Sequence, residues 1–529
     1  MATALTIKVE PIGPNQRALA DAATRLEQHL VARTGEKGGA APRLLGLELV
    51  DSARDPDPAP SSPGLRAVYY DYEANQALRV ESGLEGSDAV VTETAAQPVP
   101  SPGEFADAVE ILTQDAQLGA AVRGKRLRPY RPMPPLIPAD LPDGRQERTL
   151  GVGLLPTGTG NGERHEIVGV NMIQRRVERF PDGAPATSRA AEAPCGVPGA
   201  DQLTANRGDA GRVRVTVLQG STELWRFIAI RPAASSGDSG SGVELRQVHY
   251  RGRRVLFQAH VPILNVKYDD DACGPFRDWQ WQEGMIQATG RRVAPGFMLA
   301  SSPAKTILQT RTDQGNFLGV GVYVQGQEAV LVSEMEAGWY RYVSEWRFHA
   351  DGTMRPRFGF DAVDSSCVCA RHHHHVYWRL DFSIEEAADH LVKEFNDPAV
   401  QAGGNWHTLQ FETRRLRDAA RKRRWRVENS RTGRGYAIVP GSNDGTAKGD
   451  SYAKGDLWVL RWRPGQIDDE PLPDGHTEIL IDKFKNRESI VNQDLVVWYG
   501  AHFSHDVHAE EEPGHAGHIV GPDLKPHNW

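Results

Sequence analysis

Between residues 212 and 348 the chain is a procession of short alternating segments, at 213–218, 224–231, 254–266, 318–324, 329–332 and 340–348, with little helical periodicity between them. Alternation places one face of each strand in a core and the other toward solvent. Many such strands in succession close into two packed antiparallel sheets. The spacing therefore predicts a large antiparallel β-sandwich over 212–529, interrupted locally by one helical stretch at 383–394. Gly 53 and Pro 35 supply the turns that this rhythm needs.

The first 200 residues read differently. Leu19, Ala20, Ala23, Leu26, Leu30 and Val31 recur at helical spacing over 15–33. Strand-like runs follow at 44–50, 66–72 and 76–80, with a Pro/Asp/Ser-rich loop at 55–64. A second helix is expected to start at Ser101-Pro102-Gly103-Glu104, a capping serine with proline in the first turn, and to run to about 118. Strands at 148–154 and 166–175 follow it, and 183–211 reads as a small-residue linker. The expected class is α+β: two small α/β N-terminal domains, 1–96 and 97–200, before the β-sandwich domain.

A net charge of −8 gives no electrostatic case for nucleic acid or an anionic membrane. The basic run 414–426 is flanked by acidic segments and lacks an aromatic platform, so it reads as a solvated face. No segment approaches the ~20 apolar residues of a membrane span, and the opening residues show no secretory pattern. The expected compartment is the cytoplasm. There, Cys195, Cys273, Cys367 and Cys369 are too few for a disulfide scaffold, and Cys367 and Cys369 read as ordinary thiols in a connecting loop. No internal repeat, Walker motif or Rossmann glycine pattern is present.

The chemistry-bearing stretch is Arg371-His372-His373-His374-His375-Val376-Tyr377-Trp378-Arg379-Leu380-Asp381. On a strand His372 and His374 share one face, and His373 and His375 share the other. Two imidazoles on one face can reach a single metal ion, and imidazole suits Cu, Zn, Fe and Ni alike. A third ligand is available in His505-Asp506-Val507-His508. The competing reading is a polar strand end without metal.

Several separated segments resemble, in order, those of the copper amine oxidases, the topaquinone-containing primary-amine oxidases. Trp339-Tyr340-Arg341-Tyr342 resembles the family's cofactor strand, and His372-His373-His374 through Arg379-Leu380-Asp381 its copper hairpin. Asp456-Leu457-Trp458-Val459, the stretch from Glu488 through Tyr499 to Glu511, and Asp523-Leu524-Lys525-Pro526-His527-Asn528 are similar to its later strands and its third-histidine turn. The resemblance implies a homodimer with His372, His374 and His505 as copper ligands. It implies Tyr340 as the topaquinone precursor and Tyr268 as the tyrosine that hydrogen-bonds the quinone. It also implies a calcium site near Asp381.

The implied reaction is oxidative deamination of a small primary amine by dioxygen, giving aldehyde, ammonia and hydrogen peroxide. The motif departs from the family at three places. Trp339 replaces an asparagine and Arg341 an acidic residue. With Gly284 as register mark, Gln282 occupies the position of the catalytic base, and Glu283 is the nearest carboxylate. Glutamine cannot accept a proton, and a positioned base is worth roughly 10²–10⁴-fold in rate. Two alternatives follow: a non-quinone copper oxidase on the same scaffold, or a catalytically impaired copper-binding homologue.

Overall fold

The computed structural model describes residues 3–14, 16–34, 41–50, 64–84, 88–94, 97–98, 100–132, 135–137, 139, 141–142, 146–157, 166–179, 195–197, 211–231, 242–268, 276–277, 288–313, 319–363, 366–369, 371–447, 450, 452–463, 481–505 and 518–529. Two large sheets dominate it. A ten-stranded sheet runs Leu5–Pro11, Gly211–Gln219, Thr222–Arg231, Glu244–Tyr250, Arg253–Tyr268, His372–Phe382, Leu495–His505, Leu457–Arg461 and Thr413–Arg415, with Phe276–Arg277 added on Arg253–Tyr268. A twelve-stranded sheet carries Glu328–Ala337, Tyr340–His349 and Met354–Ala362 at its centre.

Every strand pair in the ten-stranded sheet is antiparallel, as its alternating pattern requires. Their facing sides share one apolar core that includes Val215, Phe227, Leu264, Trp346, Phe348, Phe358, Trp378 and Val497. Burying a large side chain of this kind is worth about 1.5–3 kcal/mol, so this core fixes how the two sheets face each other.

The N-terminal region holds two four-stranded sheets. Helix Gln16–Thr34 buries Leu26 and Leu30 against Ala67, Tyr69, Leu78 and Val80 of the first. Strand Leu5–Pro11 does not join that sheet; it pairs with Gly211–Gln219 at the edge of the ten-stranded one. Helix Pro102–Gln114 begins with a full capping box, Ser101 and Glu104 each bonding the other's backbone N–H. It stops short of 118 because the Asp115 carboxylate accepts the N–H groups of Gln117 and Leu118 and starts a separate turn, Gly119–Arg123. Any side chain at Gly119 would place its Cβ 2.4 Å from the Thr113 carbonyl oxygen.

Three expectations are corrected. The stretch 383–394 is not helical: bends lead into strand His390–Phe395, with Glu385 and Asp389 both at φ 65°. Helix-favouring Glu and Ala lose here to tertiary pairing, since His390–Phe395 finds Arg424–Asn429 as its partner.

Cys195, Cys367 and Cys369 are not free thiols, and Cys273 lies outside the described residues. Cys195 and Cys369 form a disulfide across a sequence separation of 174, and Cys367 is disulfide-bonded too. Topology explains it. Val197 bridges Val363 at the end of the strand that precedes Cys367, and this brings the linker alongside the loop.

The basic run, thirdly, is not simply solvated. Arg415 and Arg423 pair with Glu394, and Arg417 lies 3.5 Å from Asp456. Phe395 and Trp406, from other strands, supply aromatic faces to Arg424 at 4.1 Å and Arg426 at 4.5 Å. Among the described residues no helix is long and apolar enough to cross a membrane.

Candidate metal and phenol site

Strand register builds the site. Tyr268 lies opposite His372, and His372 lies opposite His505, so three adjacent strands place these side chains in one row. Directly opposed residues of antiparallel strands share a face. In the next row on that face stand Val266, His374 and Phe503.

From the twelve-stranded sheet, Tyr340 and Tyr342 project toward these rows, with Phe360 opposite Tyr342. A two-residue turn, Gly338-Trp339, joins Glu328–Ala337 to Tyr340–His349. Gly338 takes φ 56°, the left-handed conformation that the first central residue of a tight hairpin needs. Trp339 is thereby held at the tip, beside Tyr340.

The resulting cluster is buried. Tyr268, Tyr340, Tyr342, His372 and His374 each show 0% exposure. His372 Nε2 and His505 Nδ1 lie 3.1 Å apart. That is close to the spacing of two imidazoles each about 2.0–2.1 Å from one ion. The ring of His372 is 5.0 Å from that of His374 and 4.8 Å from that of His505. His374 Nδ1 meets the Tyr342 hydroxyl at 2.8 Å, so Nε2 is the nitrogen a metal could take.

As placed, the described side chains include no group of three or more His, Cys, Asp or Glu arranged around one ion. Two nitrogens face each other at ligand spacing, and the third ring is adjacent. A neutral-imidazole donor set of this kind fits copper.

The phenols form a chain. The Tyr268 and Tyr340 oxygens are 2.7 Å apart, and the Trp339 indole N–H donates to Tyr268 at 2.9 Å. An indole nitrogen only donates, so Tyr268 accepts from Trp339, while either phenol can be the donor in the Tyr268–Tyr340 contact. The Tyr340 ring sits 4.7 Å from His374 and 5.6 Å from His372.

Arg341 points to the opposite face. It pairs with Asp313 through two hydrogen bonds (2.9 and 3.2 Å) and donates to the carbonyls of Gly338 and Tyr340. Burial alone would lower its pKa, but the carboxylates of Asp313 and Glu336 outweigh this and the net shift is upward. Arg341 is therefore a cationic brace for the turn that carries Trp339. On the same face, burial pushes the Glu334 carboxyl well above its ordinary range, despite the N–H it accepts from Ile307.

The other two imidazoles of the run serve the outer face of the strand. His373 Nδ1 meets Ser504 at 2.8 Å, and His375 Nδ1 meets His502 Nδ1 at 2.9 Å. His502 in turn reaches Asp456 at 3.1 Å. Burial would raise the Asp456 pKa, but His502 and Arg417 pull it below its usual value.

Gln282 and Glu283 lie outside the described residues. Asp381, expected near a calcium ion, is buried 3.7 Å from Arg379. Tyr342 stood in the cofactor-strand motif without a role of its own, and Phe360, whose ring centroid is 3.8 Å from that of His374, went unmarked in the sequence. The signal for Tyr342 was its position two residues beyond Tyr340 on one strand, hence on the same face.

Fold and site together define a class: a two-sheet β protein with a buried centre of imidazoles and an adjoining phenol. Residues 356–529 match the model of the copper amine oxidase enzyme domain. The fold is similar to a copper-containing benzylamine oxidase from Hansenula polymorpha, at TM-score 0.62 and 13% identity over 98% of this chain and 97% of that one. It is also similar to a lysyl oxidase from Pichia pastoris, at TM-score 0.54 and 12% identity over 100% and 92%. An Aspergillus nidulans amine oxidase gives TM-score 0.52 and 13% identity over 100% and 90%. Residues 356–529 thus resemble the copper amine oxidase enzyme domain, and the chain shares the fold of these oxidases.

Proposed function

We propose that this protein is a copper-dependent oxidase of primary amines, with His372, His374 and His505 holding the metal and Tyr340 the source of a topaquinone. The observation that carries this reading is the meeting of the Tyr340 phenol with Tyr268 at 2.7 Å while its ring packs on His374 and His372. Bound copper with dioxygen would supply oxidation of the phenol, and the resulting quinone an electrophilic carbonyl and electron sink.

The chain's own residues do the rest. Trp339 holds Tyr268, and Tyr268, acting as the donor in its contact with Tyr340, favours the electron-rich form of that phenol. Phe360, Phe503 and Tyr342 wall the imidazoles and exclude water, which strengthens each polar contact inside. The base position belongs to Gln282, with Glu283 the neighbouring carboxylate.

The overall reaction takes a primary amine, dioxygen and water to aldehyde, ammonia and hydrogen peroxide. Homodimerisation belongs to the same reading. The Cys195–Cys369 bond favours an oxidising compartment over the cytoplasm.

The test is steady-state assay of the aerobically copper-loaded protein with benzylamine and short alkylamines. Peroxide and aldehyde in equal amounts are expected, with both lost in Tyr340→Phe. Tight copper binding with no peroxide from any amine would favour the non-quinone alternative.

A further inference from the structure

The Tyr342 ring walls the imidazoles, but its hydroxyl has no role assigned so far; it lies 2.8 Å from His374 Nδ1, and both side chains show 0% exposure. A buried imidazole in contact with a phenol has two arrangements. Either Tyr342 donates to Nδ1 and the ring proton sits on Nε2, or Nδ1–H donates to the Tyr342 oxygen and the Nε2 lone pair is exposed. Only the second makes His374 a metal ligand through Nε2. Metal-bound histidines commonly give their other N–H to a fixed acceptor, and loss of that acceptor typically costs 10–100-fold in metal affinity.

We infer that Tyr342 is a positioning residue for the metal site: its oxygen accepts the Nδ1 proton of His374, fixing both the tautomer and the angle of that ring. The inference rests on the copper reading above. Packing supports it independently. Phe360 and Phe503 close on His374 at ring distances of 3.8 and 5.3 Å, so the imidazole is clamped on its faces and Tyr342 supplies the polar contact at Nδ1. His372 and His505 already have their facing nitrogens 3.1 Å apart. Tyr342 governs the remaining ligand.

The test compares wild type, Tyr342→Phe and Phe358→Leu, the last perturbing a ring 5.5 Å from Tyr342 while leaving its hydroxyl in place. Cu(II) affinity is measured by competition with a chelator, and the copper environment by electron paramagnetic resonance. Tyr342→Phe is expected to weaken copper binding 10–100-fold and to alter the copper hyperfine splitting. Phe358→Leu is expected to lower the melting temperature with affinity and spectrum unchanged. Equal affinity and an identical spectrum in Tyr342→Phe would overturn the inference.

A second measurement needs neither a folded variant of Tyr342 nor copper. Nitrogen-15 spectra of histidine-labelled wild-type apoprotein, with the His374 signal assigned through His374→Gln, should show the Nδ1–H tautomer. An Nε2–H tautomer would overturn the inference outright. Failure of wild type to bind copper would instead strike the functional reading beneath it.

Discussion

At the scale of single residues, the departures at Trp339 and Arg341 are absorbed by the structure. Trp339 donates to Tyr268, and Arg341 braces the tight turn through Gly338 and Tyr340 while paired with Asp313. A motif comparison registers both only as mismatches, because the partners lie 71 and 28 residues away in sequence.

Glu334 gives a pH prediction on this same face. Its folded pKa lies well above the ordinary carboxyl value, so the folded state keeps a proton that the unfolded chain releases above about pH 4.3. The unfolded state then binds fewer protons, and stability falls as pH rises from there toward the folded pKa. Glu334→Gln, which retains an acceptor for the Ile307 N–H, should raise the melting temperature at pH 7 and change it little at pH 4. Thermal unfolding at the two pH values checks this, and an equal effect at both would contradict it.

At the scale of elements, strand period was the readable signal. It anticipated helix Gln16–Thr34 and strands Gly211–Gln219, Thr222–Arg231 and Arg253–Tyr268 closely, because each has a buried face of regular spacing, but it passed over Leu5–Pro11, Glu244–Tyr250 and Thr413–Arg415. It failed at His390–Phe395, where Glu and Ala upstream suggested helix and only the pairing with Arg424–Asn429 decided otherwise. The face of His372 and His374 was legible from alternation alone. That His372 stands opposite both Tyr268 and His505 was not, since register between distant strands leaves no local trace.

Buried polar contacts between elements were equally hidden. Arg148 and Glu104, both wholly buried, pair through two hydrogen bonds of 3.0 and 2.8 Å, and Arg148 also donates to the Pro98 carbonyl. Removing one partner strands the other as an uncompensated charge, which typically costs about 3–5 kcal/mol. Arg148→Met should therefore destabilise the protein by about that amount in denaturant titration. A loss below about 1 kcal/mol would show that Glu104 is satisfied by the Tyr72 hydroxyl and the Ser101 N–H alone, which donate to it at 2.6 and 3.0 Å.

At the scale of the whole molecule, the two sheets and the linker are tied together next to the site. The Cys195–Cys369 bond anchors the turn Ser366–Cys369 three residues before His372. Sequence alone pointed to free thiols because a separation of 174 residues hides the contact that the Val197–Val363 bridge creates. Loss of a native disulfide typically costs about 2–5 kcal/mol. Cys195→Ser should lower stability by that order, and copper should dissociate faster from the variant than from wild type. Equal melting temperatures with and without reductant in wild type would contradict the linkage.

The central claim is that the buried phenol at 340 is oxidised beside a histidine-bound copper ion. Its most direct measurement is the mass of the peptide containing residue 340 before and after aerobic loading with Cu(II). The expected result is the mass gain of a tyrosine converted to a trihydroxyphenylalanine quinone, absent in His372→Ala and in anaerobic samples. Tightly bound copper with an unmodified Tyr340 would contradict it.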